Sequence, residues 1–303
     1  MCAPTVMQEV ARAMSRRDVL KLGAAAAASA LVARVAGAAE PEAHRHAPPA
    51  VSPDAERDGP EHLIFKEPLS LRVSNVVDLT HTLNSAFPVI PIPGLTFPFK
   101  QTPIATIEQF GVFANKWEMI DHNGTHIDAT NHFNPLGYDL KDTPLRSLIA
   151  PVAVIEVKER AAREYDTAVT IDDILAWEKK HGRLPRHSAV FMDSGWDSKV
   201  GDIHSFLNID SSNTLHFPGF PEETIQFLLT ERDISGVGVD TISFDLGPDK
   251  TYKAHKALFK GGKWGIENIK NLGRIPRSGA TVFIGATKVE GASGGPARLL
   301  GLW

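Results

Sequence analysis

The stretch His122-Asn-Gly-Thr-His126-Ile-Asp128-Ala-Thr-Asn-His132-Phe133 constrains this chain more than any other. Three histidines and a carboxylate fall within eleven residues, in a chain of 303 that holds twelve histidines in all. Side chains alternate on an extended strand, so residues 122, 124, 126 and 128 share one face. That face reads His, Gly, His, Asp, and the bare Gly124 leaves room for an ion between two imidazoles and a carboxylate. A helix would align His122 with His126 but would swing Asp128 away from both. The β-branched Thr125 and Ile127, with Gly124 between His122 and His126, also favour extended backbone. The spacing therefore predicts a strand from about Trp117 to Asp128, carrying mixed N/O ligands suited to zinc, manganese or another first-row divalent ion.

The ends and the composition bound what else such a site can use. Ser15-Arg16-Arg17-Asp18-Val19-Leu20-Lys21 has a twin-arginine pattern, followed by an Ala-rich apolar run and the small-residue site Ala36-Gly37-Ala38. Residues 1–38 thus read as a twin-arginine signal peptide, which implies export in the folded state and a periplasmic location. The run is too short and too weakly apolar for a membrane anchor. Residues 39–62, rich in Ala, Pro, Glu and His without periodicity, read as a flexible linker. The single cysteine, Cys2, leaves with the signal, so the mature chain has neither disulfide nor thiolate ligand. It keeps 27 Lys/Arg against 34 Asp/Glu after losing five and two respectively, a formal charge of −7 that points away from nucleic acid.

Residues 63–303 are long enough for one α/β domain. Apolar β-runs at 73–79, 104–109, 117–128, 152–157, 189–193, 237–240 and 281–289 alternate with helices opening at Thr170 and Pro221. Thr170 with Asp173 has capping-box spacing, and Pro221 is followed by two glutamates in a first helical turn. This alternation gives an α/β class with a central sheet flanked by helices, and leaves open whether the sheet is closed. The segment 87–99 combines four prolines with apolar residues, so it is irregular but calls for burial against a pocket, a subunit or the domain itself.

Three ligands on one strand leave a divalent ion coordinatively open, as catalysis requires. His255, near a helix start, and Glu267, at an apolar edge, are candidates for a second ligand group. The motif His-x-Gly-Thr-His-x-Asp-x-x-x-His-Phe resembles the signature of the cyclase family of metal-dependent hydrolases, which includes kynurenine formamidases and isatin hydrolases. Gly236-Val-Gly-Val-Asp240-Thr241-Ile-Ser243-Phe-Asp245, Trp196, Phe217-Pro218-Gly219 and the His255…Glu267-Asn268 pair extend the resemblance over about 72–290. The chain departs from the pattern in lacking a proline just before His132.

The resemblance implies a single-domain, barrel-like mixed α/β sandwich (a swivelling β/β/α arrangement), commonly a homodimer or higher homo-oligomer. It implies His122 and His126 on a first metal ion, Asp128 bridging, His255 on a second ion, Glu267 bridging, and His132 shuttling protons, with one or two Zn2+ or Mn2+ ions. The expected activity is hydrolysis of an amide-type C–N bond in a small aromatic substrate, an aryl formamide or a cyclic imide or lactam. Metal-activated hydroxide would attack, and His132, with an ordinary imidazole pKa near 6.5, would supply the leaving nitrogen's proton. Phe87, Phe97, Phe99, Phe113, Trp117 and Trp196 are the candidate aromatic surface. A cyclase or lyase on the same core, or a periplasmic metal-binding protein without turnover, would use the same cluster.

Overall fold

The computed structural model describes residues 73–303. The expected signal peptide and linker, and the domain's first ten residues, lie outside the described residues. The sheet is built from β1 (Val76–Asp78), β4 (His126–Asp128), β5 (Ile149–Glu156), β6 (Ser188–Asp193), β7 (Ile234–Val239), β8 (Trp264–Glu267), β9 (Ala280–Ala286) and β10 (Gly294–Leu302). Two further strands, β2 (Lys100–Ala105) and β3 (Ala114–Glu118), pair only with each other, joined through a helical turn at Ile107–Phe110.

The sheet order is β1-β10-β4-β8-β7-β6-β5-β9, and β9 pairs again with β10. Seven strands therefore close into a ring, with β1 added outside β10. Strands β5, β6, β7 and β8 run parallel, while β4, β9 and β10 are antiparallel to their neighbours. The parallel strands are buried on both faces, which explains their unbroken apolar runs. Val152, Val154, Ala189 and Phe191 face one core with Trp264, Ile266, Val282 and Leu299. The alternate residues Ala153, Ile155, Val190 and Met192 face a second core with Ile174, Trp177, Ile225, Leu228 and Phe259 from the helices. That two-sided burial is the α/β layering expected from the sequence, now closed into a barrel.

Local signals match at the helices. Ile171–His181 opens on Thr170, whose hydroxyl oxygen accepts from the Asp173 N–H while the Asp173 carboxylate accepts from the Thr170 N–H. Glu222–Glu231 follows Pro221, with two glutamates in its first turn. Among the described residues no helix is long and apolar enough to cross a membrane.

Several expectations need correction. The run 104–109 is a strand only over its first two residues: β2 (Lys100–Ala105) ends at Ala105 and Ile107–Phe110 is helical, closed by left-handed Gly111. The strand expected over 117–128 is two strands, β3 and β4, separated by a turn. Gly124, at φ +70, breaks the extended backbone between His122 and His126. A Cβ there would lie 3.1 Å from the Leu83 side chain, so the turn also packs tightly. The strand at 281–289 stops at Ala286, and β10 lacked a signal because glycine and proline punctuate its first three residues.

Candidate metal centre

β4 is three residues long, fully buried, and held between β8 and β10. Its register places His126 opposite Glu267 and Asp128 opposite Gly265. The ring closure therefore brings residues 141 positions apart into one site. His126 Nδ1 donates to the Gly124 carbonyl at 2.9 Å, which directs Nε2 inward. That Nε2 lies 3.1 Å from Asp128 Oδ1 and 3.4 Å from Glu267 Oε2.

The opposite imidazole comes from the helix Lys253–Lys260. His255 Nδ1 pairs with Asp245 Oδ2, and its Nε2 lies 3.5 Å from Asp128 Oδ2 and 3.3 Å from Glu267 Oε1. Asp128 and Glu267 thus each turn one oxygen toward His126 and the other toward His255. His122 reaches the same cluster from the turn before β4, with Nδ1 2.7 Å from Asp128 Oδ1 and Nε2 2.9 Å from Ser293 Oγ. The convergence expected for 122, 126 and 128 is present, but turn geometry rather than strand alternation delivers His122. The backbone at 130–132 forms a short 3-10 turn without the missing proline, and the His132 ring stacks on His122 at 4.0 Å between centroids.

The electrostatics fit a cation. Burial alone would raise the Asp128 pKa, but the His126 and His122 imidazoles hold it well below the ordinary carboxylate range. Burial would lower that of His126, yet Asp128 and Glu267 push it up to about 9. His255 is raised well above the usual imidazole value against its burial, by bonds to Asp128, Asp245 and Glu267. His132 goes the other way, to about 4, because burial and the neighbouring histidines outweigh Asp128. The donor shape agrees: His126 Nε2 and Asp128 Oδ2 are buried without hydrogen-bond partners. Potential ligand atoms of His126, Asp128 and Glu267 all lie within 4.8 Å of one another, as do those of His122, Asp128 and His132. Two buried polar atoms without hydrogen bonds in one cluster are costly unless an ion or water takes them up.

All six residues singled out in the sequence meet here. Four that shape the site were not assigned a role. Asp245 orients His255 and also accepts from the Ala254 N–H at 2.7 Å. The Phe244 ring stacks on His255 at 3.7 Å, and its N–H donates to Glu267 at 3.3 Å. Ser293 donates to Asp121 Oδ2 at 2.8 Å while contacting His122. Asp245 lies in the Gly236–Asp245 run, ten residues before His255; Ser293, in a glycine-rich stretch just before β10, the neighbour of β4, has no local signal. The expected aromatic surface also shifts. Trp196 is fully buried in a separate cluster with Phe206 and Phe217, and Phe97, Phe113 and Trp117 are exposed. The rings beside the cluster are Phe133, Phe244, Tyr252 and Phe259.

The Cyclase family model matches residues 77–246, more than half of the chain and spanning the β4 motif. The chain belongs to the Cyclase family. Its relatives include isatin hydrolase of Roseibium aggregatum, 33% identical over 244 residues, which cover 75% of this chain and 91% of that protein. Kynurenine formamidase of Bacillus cereus is 27% identical over 205 residues, covering 66% and 84%. Among solved structures, an isatin hydrolase bound to the product analogue thioisatinate superposes with a TM-score of 0.72 at 30% identity, covering 75% of this chain and 92% of that one. The family's fold agrees with the closed mixed barrel.

Proposed function

We propose that this chain is a metal-dependent hydrolase of an amide-type C–N bond in a small aromatic substrate, with a cyclic lactam or imide such as isatin ahead of an aryl formamide. The observation that carries the reading is the buried cluster with two ligand atoms that make no hydrogen bond, in a chain 33% identical to an isatin hydrolase. His122, His126, Asp128, His255 and Glu267 would hold one or two divalent ions, zinc or manganese. Such an ion, when bound, acidifies a water and polarises a carbonyl oxygen.

The protein's own groups do the rest. His132, neutral at pH 7 because its pKa is held near 4, is a base in the resting site rather than the ready acid expected from the sequence. It takes a proton from the attacking water as the new C–O bond forms. It then returns that proton to the nitrogen as the C–N bond breaks, since an amide anion is a poor leaving group. Asp245 fixes the His255 ring, as an outer partner of a ligand does. Phe133 and half-exposed Tyr252, 5.0 Å apart at their centroids, offer a flat apolar edge beside His255 for an aromatic ring.

We further infer export by the twin-arginine route to the periplasm and assembly as a homodimer or higher homo-oligomer; cell fractionation and sedimentation test these. The central test pairs metal analysis with hydrolysis assays on isatin and N-formylkynurenine. Stoichiometric metal, turnover favouring isatin, and loss of turnover on chelation that Zn2+ or Mn2+ restores are expected. Metal without activity on either compound removes the substrate assignment; no metal removes the site.

A further inference from the structure

The four parallel strands carry the metal cluster at one end, where β8 finishes on Glu267. Their opposite, amino ends frame a cleft of about 170 Å3 lined by Tyr138, Pro144, Arg146, Ser147, His187, Ser235, Gly262 and Lys263. Arg146 and Ser147 precede β5, His187 precedes β6, Ser235 stands at the start of β7, and Gly262 and Lys263 precede β8. Three basic side chains from three connections therefore converge on one small hollow, and no carboxylate lines it.

The nearby acid is already committed. Asp233 Oδ2 takes Arg186 Nε at 3.0 Å, and its Oδ1 lies 3.2 Å from His187 Nδ1. Among the described residues neither Arg146 nor Lys263 has a carboxylate within ion-pair distance. Lys263 is partly buried, and that burial pushes its pKa down against the attraction of Asp233. A desolvated ammonium without a counter-ion is an energetic cost that a bound anion relieves. The hydroxyls of Ser147, Ser235 and Tyr138 already donate to carbonyls, of Pro144, His187 and Gly262 respectively. Donation to a ligand falls to Arg146 and Lys263, because burial pushes the His187 pKa down and its Nδ1 faces Asp233.

We propose that this cleft binds a small tetrahedral oxyanion, sulfate, phosphate or an ester of either. Two positive charges beside a hollow of this size, Arg146 and Lys263, suit a compact dianion better than an extended polyanion. The guanidinium supplies a planar donor fork and the ammonium a point charge, the usual division of labour at phosphate. The site is separate from the metal cluster and does not depend on the proposed hydrolysis.

The test is equilibrium dialysis of the metal-loaded protein against radiolabelled sulfate at constant ionic strength. One saturable equivalent per chain is expected, displaced by inorganic phosphate but not by acetate. Lys263→Met should weaken binding about tenfold or more, the loss of a charge-assisted bond, and Arg146→Met should weaken it as well. Ser147→Glu, which keeps both cations but places a carboxylate in the hollow, should abolish it. Circular dichroism on each variant confirms the fold. The proposal is overturned if no saturable binding occurs, if acetate competes equally, or if binding survives these substitutions and is lost in Asp128→Asn, which would place sulfate at the metal cluster.

Discussion

Asp128 and Asp240 are buried equally and behave oppositely. Asp128 closes β4 and Asp240 follows β7, each with about 1% or less of its surface exposed. Asp128 faces imidazoles, and its pKa falls well below normal. Asp240 sits near Asp193 and Asp197, and burial raises its pKa to about 7 despite bonds from Ser194. Burial sets the stakes, and the neighbours decide the sign. Asp128 is held as an anion, with one oxygen that makes no hydrogen bond and meets only the His255 imidazole at 3.5 Å, which suits a cation. Asp240 is fully engaged, accepting from the Ser194 N–H, the Ser194 hydroxyl at 2.6 Å and the Trp196 N–H at 2.9 Å. It pins the turn after β6 to the end of β7.

The largest effect should follow from neutralising the first of these carboxylates. Asp128→Asn keeps the shape but removes the charge between His126 and His255. Metal affinity should fall by more than the roughly 10–100-fold typical of an outer-layer change, read by chelator competition. The same charge predicts the pH dependence of loading. His126, raised to about 9, is protonated at neutral pH in the metal-free protein, so binding must displace its proton. Apparent affinity should then drop as pH falls from 9, about tenfold per unit for each proton displaced, with proton release visible by calorimetry in buffers of different ionisation enthalpy. An affinity flat between pH 6 and 8 would break the electrostatic half of the comparison.

Next in size is His132→Ala. Loss of proton transfer should lower kcat by about 10²–10⁴, while metal content stays near that of the native protein. The second readout matters because His132 also lies within ligand reach of His122 and Asp128. Loss of metal alongside activity would make His132 a ligand and end its assignment as shuttle.

The contrast between the two carboxylates also shows what was legible in the chain. The β4 motif declared itself because its ligands are close in sequence and chemically unusual. Even so, strand alternation was the wrong reason for His122, since Gly124 at positive φ turns the chain before the strand starts. His255 and Glu267 were chemically visible, but their meeting with His126 depends on ring closure and the β4–β8 register, which no local pattern encodes. Trp196 belongs to the candidate aromatic surface on sequence grounds, because an aromatic residue after a glycine looks the same whether it meets a ligand or fills a core. Its Nε1 donates to the Phe206 carbonyl at 2.8 Å inside a small apolar cluster. Asp240 was quoted only as part of a family-like strand, and its role as an anchor exists only once β6 and β7 lie side by side.

That anchor gives the smallest and most discriminating prediction. The folded-state pKa of Asp240, about 7, lies above the unfolded carboxylate value, so the native state binds its proton more tightly. The resulting stabilisation is fully present below the unfolded pKa and is lost as pH rises through 7. Chemical denaturation should therefore show native stability declining between about pH 4 and 7, by at most about 1.4 kcal/mol per pH unit from this group, and levelling off above. Asp240→Asn removes the titration and flattens that slope. It also sets an amide N–H2 against the donors of Ser194 and Trp196, so the variant should be less stable by about 1–3 kcal/mol at acid pH, where the native carboxyl is protonated. Metal affinity should not change, because the bonds of Asp240 run to the turn after β6 and not to the cluster. If Asp240→Asn instead loses metal as Asp128→Asn does, the two carboxylates form one electrostatic unit. The division between a binding anion and an anchoring acid then fails.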